Sequence, residues 1–453
     1  MIKSAIVIGG GITGLTLGWA LQRAGSSVCV LEKSAQAGGA IRTIRRDGYL
    51  AEAGPNSLLV TSAALESFLR GVGLGAQMQK PSDAAKNRYI LKEGEFLAAP
   101  TGPGAFLSTP LFSGNAKLRL LGDLFAKKPV GLREESLASF VERHFGPEVL
   151  DYAVNPFVGG IYAGNPAKLS AQHAFPMLAE AENSAGSVIR GMIQKRKAKR
   201  ANGETFKSAT VSFKDGMQAL PEAIASKLGD QLKLSADIIS VEQTDAGWSV
   251  TWRNATGDVE TCVADELYLT VPAHALATLP LPQKVSHELS PLSSIEYPPV
   301  ASVALGFDLN QIDHPLDGFG GLIPAVEKRQ ALGVLFSSTL FPGRAPVGKA
   351  LLTVFVGGAR QPELAGKPPS EIQDIALHEL NNLLGVTGEP EFAEVTVWPR
   401  AIPQYNVGYG EFLDTISQVE KTCPGLHLLG NYRGGISVGQ CILNGASAVE
   451  PLG

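Results

Sequence analysis

The chain opens on a short apolar run, Ala5-Ile6-Val7-Ile8, suited to a strand buried on both faces. Leu15, Leu17, Trp19, Ala20 and Leu21 follow and predict a helix, with Gly25 placed to end it. A second apolar run, Val28-Cys29-Val30-Leu31, predicts another buried strand. Leu65, Phe68, Leu69 and Val72 stand at i, i+3, i+4 and i+7, which predicts helix over residues 58–80. Residues 86–100 read as a hairpin turned at Gly94, and 101–185 as mostly helical with Pro/Gly interruptions and a mobile-looking apolar loop at 101–116. A strand at Val211-Ser212-Phe213 precedes a turn at Lys214-Asp215-Gly216 and a helix carrying Leu220, Ile224 and Leu228. Alternation over 232–270, as in Trp248-Ser249-Val250-Thr251-Trp252, predicts strands. So do the Val-, Leu- and Phe-rich stretches 300–309, 319–325, 331–337 and 351–357. An amphipathic helix is expected at 370–384, then a strand over 426–431 running into a Gly-rich turn and a helix from about Gly439.

Composition narrows the class. A length of 453 residues suggests two or three domains at roughly 150 residues each. The net charge of −4 leaves no basic excess to mark nucleic acid as a partner. Charged residues are 18% and hydrophobic ones 44%, which excludes disorder. The 51 glycines exceed the usual share of about 7% and point to tight turns or backbone pressed against a ligand. Cys29, Cys262, Cys423 and Cys441 show no C-x-x-C, which favours free thiols in a reducing compartment. The histidines lack metal-ligand spacing, so no metal site is expected. The uncharged stretch 96–116 is long enough to span a bilayer, but Pro100, Pro103 and Pro110 with Gly102, Gly104 and Gly114 would break such a helix. A surface lying on a membrane stays compatible with it.

The motif that carries chemistry follows the first strand at once: Gly9-Gly10-Gly11-Ile12-Thr13-Gly14 reads G-x-G-x-x-G between a predicted strand and helix. Gly9 permits the tight turn, Gly11 lets a pyrophosphate approach the backbone, and Gly14 allows close helix–strand packing. The helix start at Ile12 and Thr13 offers unpaired N–H groups and a favourable dipole. Glu32, at the end of the second strand and followed by Lys33, is placed to accept both ribose hydroxyls, and its charge disfavours a 2′-phosphate. A dinucleotide is therefore expected here. Lys195-Arg196-Lys197-Ala198-Lys199-Arg200 reads as a solvated helix end or loop, or as a patch for anionic lipid headgroups or acidic substrate.

After Glu32 come Gly38-Gly39-Ala40-Ile41-Arg42 and then Glu52-Ala53-Gly54-Pro55-Asn56-Ser57. In these segments the chain resembles the flavoprotein superfamily of amine oxidases, carotenoid desaturases and protoporphyrinogen oxidases, in which E-x(5)-G-G-x-x-R marks FAD. Further stretches resemble the protoporphyrinogen oxidases in particular: 155–164, 212–218, 333–338 with 341–346, 398–405 and 430–438, spread over almost the whole chain. The resemblance implies an α/β (α+β) fold, with a Rossmann-like FAD-binding domain interleaved with a mixed-sheet substrate domain and a helical membrane-binding part. The implied segments are 1–85, 206–272 and 406–453 for FAD, 86–205 for the helical membrane-binding/substrate part and 273–405 for the substrate domain.

It also implies FAD-dependent oxidation of protoporphyrinogen IX to protoporphyrin IX by O2, with peroxide formed. The flavin carries the chemistry, so no catalytic side chain is assigned. Non-covalent FAD is expected on Gly9, Gly11, Ile12, Thr13, Gly14, Glu32, Lys33, Gly39, Arg42, Gly54, Pro55, Asn56, Ser57, Ile238, Trp398, Ile436, Ser437 and Val438. The surroundings of Cys441 lack the motif of amine oxidases that hold flavin through a cysteine. Arg88 is expected to grip a substrate propionate, Gly160 and Gly164 to wall the cleft, and Leu335 to line it in preference to Phe355. The implied setting is a cytoplasmic, bacterial-type enzyme on the inner membrane surface, with room for a homodimer and a transient contact with the next haem-pathway enzyme. Coproporphyrinogen III oxidation on the same fold, another amine oxidase or desaturase activity, and a non-enzymatic flavin protein are the alternatives.

Overall fold

The computed structural model describes residues 4–128, 134–203 and 206–449. Its nucleotide-type layer is a five-stranded, all-parallel sheet in the order Leu232–Lys233, Ser27–Leu31, Ser4–Ile8, Glu266–Leu269, Leu426–Leu428. A parallel sheet must be covered on both sides, which explains strands that are apolar throughout. Alternate residues divide between the two covers. Ala5, Val7, Val28 and Val30 pack with the helices Ile12–Arg23 and Ala219–Leu228. Ile6, Ile8 and Leu31 join a second core with Trp248, Val250 and Trp252. Those aromatics belong to a three-stranded antiparallel cover sheet, Asp237–Thr244, Gly247–Arg253 and Val259–Ala264.

The second large layer is a seven-stranded mixed sheet in the order Phe392–Trp398, Val300–Asp308, Lys349–Gly357, Ala331–Leu335, Gly318–Leu322, Asn87–Lys92, Glu95–Ala98. One face packs Leu91, Val303, Leu305, Phe307, Val334, Val354 and Val356 against Ile372, Ala376 and Leu380 of the helix Pro369–Leu384. Period two then sends Arg88, Leu335, Thr353, Phe355, Ser302 and Trp398 to the opposite face. Helices from Pro103–Ser108 to Val188–Ala201 form a separate stretch of chain. None of the described helices is long and apolar enough to cross a membrane.

Two expectations are corrected. Residues 58–80 are not one helix: Leu58–Val60 is a strand paired with Ala209–Phe213, Ala63–Gly71 is the helix, and Met78–Gln79 pairs with the same partner strand. The apolar 101–116 stretch is not a loop. Pro103 starts the helix Pro103–Ser108, where its missing N–H costs nothing, and Ser113 caps Gly114–Gly122. The basic run is the exposed last part of the Val188–Ala201 helix.

Candidate flavin and substrate site

The glycine turn is built as its sequence requires. Gly9 has φ +115°, and a Cβ on it would lie 2.9 Å from Thr270 Oγ1. On Gly14 a Cβ would lie 2.0 Å from the Gly9 carbonyl oxygen, so helix and strand meet there backbone to backbone. Gly11 is the N-cap of Ile12–Arg23, and a Cβ there would meet nothing within 4 Å. The first turn, with Ile12 half-buried and Thr13 buried, has no side-chain cap and no acidic residue. An uncapped helix start behind open space is the cradle a pyrophosphate needs, and these residues fit the dinucleotide.

The Gly38-Gly39 loop closes on the same turn. Gly38 N–H donates to Gly10 O at 2.8 Å, and a Cβ on Gly39 would stand 3.5 Å from Gly11 Cα. Glu32 accepts from Gly10 N–H at 2.6 Å and from Ser34 N–H at 2.7 Å, which fixes its carboxylate beside the turn. Lys33 leans outward to Asp237 at 3.7 Å on the cover sheet. Ile238, next to Asp237, is half-buried beside a register break in the first cover strand, close to where Ala236 N–H donates to Glu32 O.

Farther along the turn side, a Cβ on Gly54 would lie 1.9 Å from the Ala40 carbonyl oxygen. Pro55, Asn56 and Ser57 are half-buried, with Asn56 Nδ2 donating to Gly54 O at 3.2 Å. Trp398 Nε1 donates to Ala53 O at 2.7 Å, and the Arg42 guanidinium lies 5.7 Å from the Trp398 ring centroid. The Arg42 side chain is exposed and makes no hydrogen bond or ion pair with a described residue, so its donors are available to an anion. Ser437 caps the helix Val438–Ser447 through a reciprocal bond with Gln440, and Ile436 is half-buried beside it. That helix packs on the first one, where a Cβ on Gly445 would come 2.6 Å from Thr13 O. Cys441 lies inside this contact, and burial pushes its thiol up to about 11.

Sequence reading missed what supports the 52–57 segment. Glu52 and Arg344 are both buried and paired at 3.2 Å. Thr43 Oγ1 and Met217 N–H also donate to Glu52, and Arg344 Nη2 donates to Ser212 Oγ. Burial raises the Glu52 pKa, while Arg344 and these donors oppose it. No local pattern signals this knot, because its members lie far apart in the chain.

On the face of the seven-stranded sheet turned away from the helix Pro369–Leu384, Arg88 stacks its guanidinium 5.2 Å from the Phe319 ring centroid and has no carboxylate partner among the described residues. Leu335 and Phe355 stand half-buried on the same face, between Arg88 and Trp398. The helix Asn155–Tyr162 lies across this sheet: a Cβ on Gly160 would be 2.6 Å from Leu322 Cδ2. Gly160 is exposed, whereas Gly164 is buried, with Gln404 Oε1 2.5 Å from where its Cβ would be. Arg360 was also missed. It donates to Ile323 O at 2.8 Å and to Asn155 Oδ1 at 2.7 Å, and burial lowers its pKa to about 10.

Comparison with known proteins decides the class. The model of flavin-containing amine oxidoreductases matches residues 12–452. The chain belongs to the flavin-containing amine oxidoreductase family. This flavin oxidoreductase is 33% identical to protoporphyrinogen oxidase 2 of Arabidopsis thaliana, over 99% of this chain and 93% of that one. It is 28% identical to coproporphyrinogen III oxidase of Bacillus subtilis, over 99% and 97%. A crystal structure from Exiguobacterium, provisionally named a protoporphyrinogen oxidase, superposes with TM-score 0.81 at 23% identity, over 99% and 98% of the two chains. The flavin enzyme's fold is thus that of its family, and its cofactor is FAD.

Proposed function

We propose that this enzyme oxidises protoporphyrinogen IX to protoporphyrin IX with O2 as acceptor. The observation that carries the reading is full-length similarity to plant protoporphyrinogen oxidases joined to a sheet face that carries Leu335, Phe355 and Trp398 and, at its rim, Arg88, which has no carboxylate partner among the described residues. Bound FAD supplies the hydride acceptor and the route of electrons to O2, which leaves as hydrogen peroxide. The chain's own work is to bind and orient. The turn at Gly9–Gly14 with Gly38 and Gly39 holds the pyrophosphate, Glu32 the ribose, with Ile238 beside the adenine and Lys33 at the outer edge. Arg42, the 54–57 segment, Trp398 and residues 436–438 enclose the other end. Leu335 and Gly160 wall an apolar cleft that keeps water from the macrocycle. Arg88 fixes a propionate, so orientation is set by a charge at the rim. Gly164 supports that wall through its packing on Gln404.

The same reading divides the chain into FAD-binding segments 1–85, 206–272 and 406–453, a substrate domain 273–405, and a helical membrane-binding/substrate part 86–205. The sheet order supports joining the 87–98 hairpin to the substrate part. Leu118 and Phe125, 68% and 85% exposed, with the basic end of the Val188–Ala201 helix, support peripheral contact with an anionic membrane surface. Binding to vesicles containing anionic lipid should fall when both are changed to Glu; unchanged co-sedimentation would remove this part of the proposal.

The test of the activity compares kcat/KM for protoporphyrinogen and coproporphyrinogen by product fluorescence, with purified FAD-loaded protein opened to air. A clear preference for the first is expected. Preference for the second would assign the enzyme the activity named for its Bacillus relative, and turnover of neither would overturn the reading.

A further inference from the structure

Two cysteines that sequence keeps 233 positions apart meet where the parallel sheet contacts its cover sheet. On the Ser27–Leu31 strand, Val28 and Val30 point to the helical side, while Cys29 and Leu31 point to the cover sheet. On Val259–Ala264 the inward positions are Glu260, Cys262 and Ala264, and the exposed ones Val259, Thr261 and Val263. Cys29 and Cys262 pack against the same apolar cluster, and their thiols face each other across this interface. Both are free and half-buried, whereas Cys423 and Cys441 are buried. Lys233 and Glu260 are the charged groups beside the pair.

We propose that Cys29 and Cys262 form a peroxide-oxidised dithiol that closes into a disulfide between the dinucleotide sheet and its cover sheet. The thiols are not equivalent. Contact with Cys29 holds Cys262 down to about 7, while contact with Cys262 and burial push Cys29 up. Cys262 is therefore the nucleophile and Cys29 the resolving thiol. The Cys262 thiolate attacks one oxygen of hydrogen peroxide; an S–O bond forms, the O–O bond breaks, and the departing hydroxide takes a proton to leave as water. Cys29 sulfur then attacks Cys262 sulfur, the S–S bond forms, and the displaced hydroxide takes the Cys29 proton as a second water. Two thiols and one peroxide become one disulfide and two waters. The protein's own turnover as a peroxide source rests on the activity proposed above, but the oxidation itself does not.

The test uses FAD-loaded full-length protein without porphyrinogen, so its failure is distinct from failure of that activity. Hydrogen peroxide is added, the reaction is quenched, and thiols are alkylated in denaturant for intact-mass and peptide analysis. Two of the four thiols should become unavailable, with a mass loss of about 2 Da and a peptide joining residues 29 and 262. In Cys29→Ser, dimedone should label Cys262; in Cys262→Ser, Cys29 should stay alkylatable. Four alkylatable cysteines after peroxide, or loss confined to Cys423 and Cys441, would overturn the proposal. So would absence of the dimedone adduct in Cys29→Ser protein that keeps its flavin absorbance.

Discussion

Arg88 is held by an aromatic face and by no anion among the described residues, so its charge is unspent within the protein. Its neighbours Tyr89 and Asn87 have local work instead, both bonding to the Asp317 carboxylate on the other face of the strand. A charge-assisted hydrogen bond contributes about 1.5–3 kcal/mol. Arg88→Ala should therefore lower porphyrinogen kcat/KM by about 10- to 100-fold, mainly through KM, with flavin content unchanged. Arg88→Lys should recover part of the loss, since a point charge lacks the guanidinium fork. Steady-state kinetics beside flavin absorbance checks this, and an unchanged KM in the Ala variant would remove Arg88 from the substrate site. At this scale much could be read from sequence alone. Gly9 and Gly14 sit in one short motif, and Glu32 follows at the end of the next strand, so local spacing states the geometry. Arg344 and Arg360 could not be read so, because the groups that bury them come from distant segments.

Elements were legible where a single periodicity governs them. The helices Ile12–Arg23, Ala219–Leu228 and Pro369–Leu384 and the strands from Val300 to Gly357 fall where spacing placed them. Misreading came where pairing is long-range: Leu58–Val60 is extended only because Val211 lies opposite Leu58. Phe392–Trp398, which pairs with Val300–Gly306, was likewise unforeseen, and so was the short local hairpin of Thr43–Arg46 with Tyr49–Glu52. The Val188–Ala201 helix shows how one buried side chain can hold an element. Asp123 accepts from Ser187 Oγ at 2.7 Å and Ile189 N–H at 2.9 Å at the helix start, and also pairs with His144. Burial raises its pKa, but those hydrogen bonds and His144 outweigh that and leave it below 3.8. A lowered folded-state pKa makes this stabilisation complete above the unfolded value and lost as pH falls through the folded one. Protection of the 188–201 amides from hydrogen exchange should thus be flat at neutral pH and fall below about pH 3.8. Asp123→Asn should reproduce the loss at pH 7, by about 1–3 kcal/mol. Equal loss across the dinucleotide sheet would show that Asp123 does not act on this helix in particular.

The whole molecule is knotted together through the cofactor site. The parallel sheet takes strands from the first 31 residues, from 232–269 and from 426–428, and the helices Ile12–Arg23 and Val438–Ser447 pack directly on one another. Trp398, at one edge of the seven-stranded sheet, is tied to Ala53 beside the 54–57 segment. The layers therefore converge on the site proposed for FAD, although register on the sheet face, rather than any local motif, brings Arg88, Leu335 and Trp398 to one side. A ligand that contacts segments so far apart in sequence binds only when all are folded together. Free FAD in excess should then stabilise the chain by RT ln(1 + [L]/Kd), about 2.7 kcal/mol at a hundredfold excess over Kd. Flavin-stripped protein should melt at a lower temperature and recover with a logarithmic dependence on FAD, with the 1–60 and 430–449 amides gaining protection in parallel. Calorimetry with hydrogen exchange reads both. Protection gained by the N-terminal turn alone would mean that the C-terminal helix is docked on it without contributing to flavin binding.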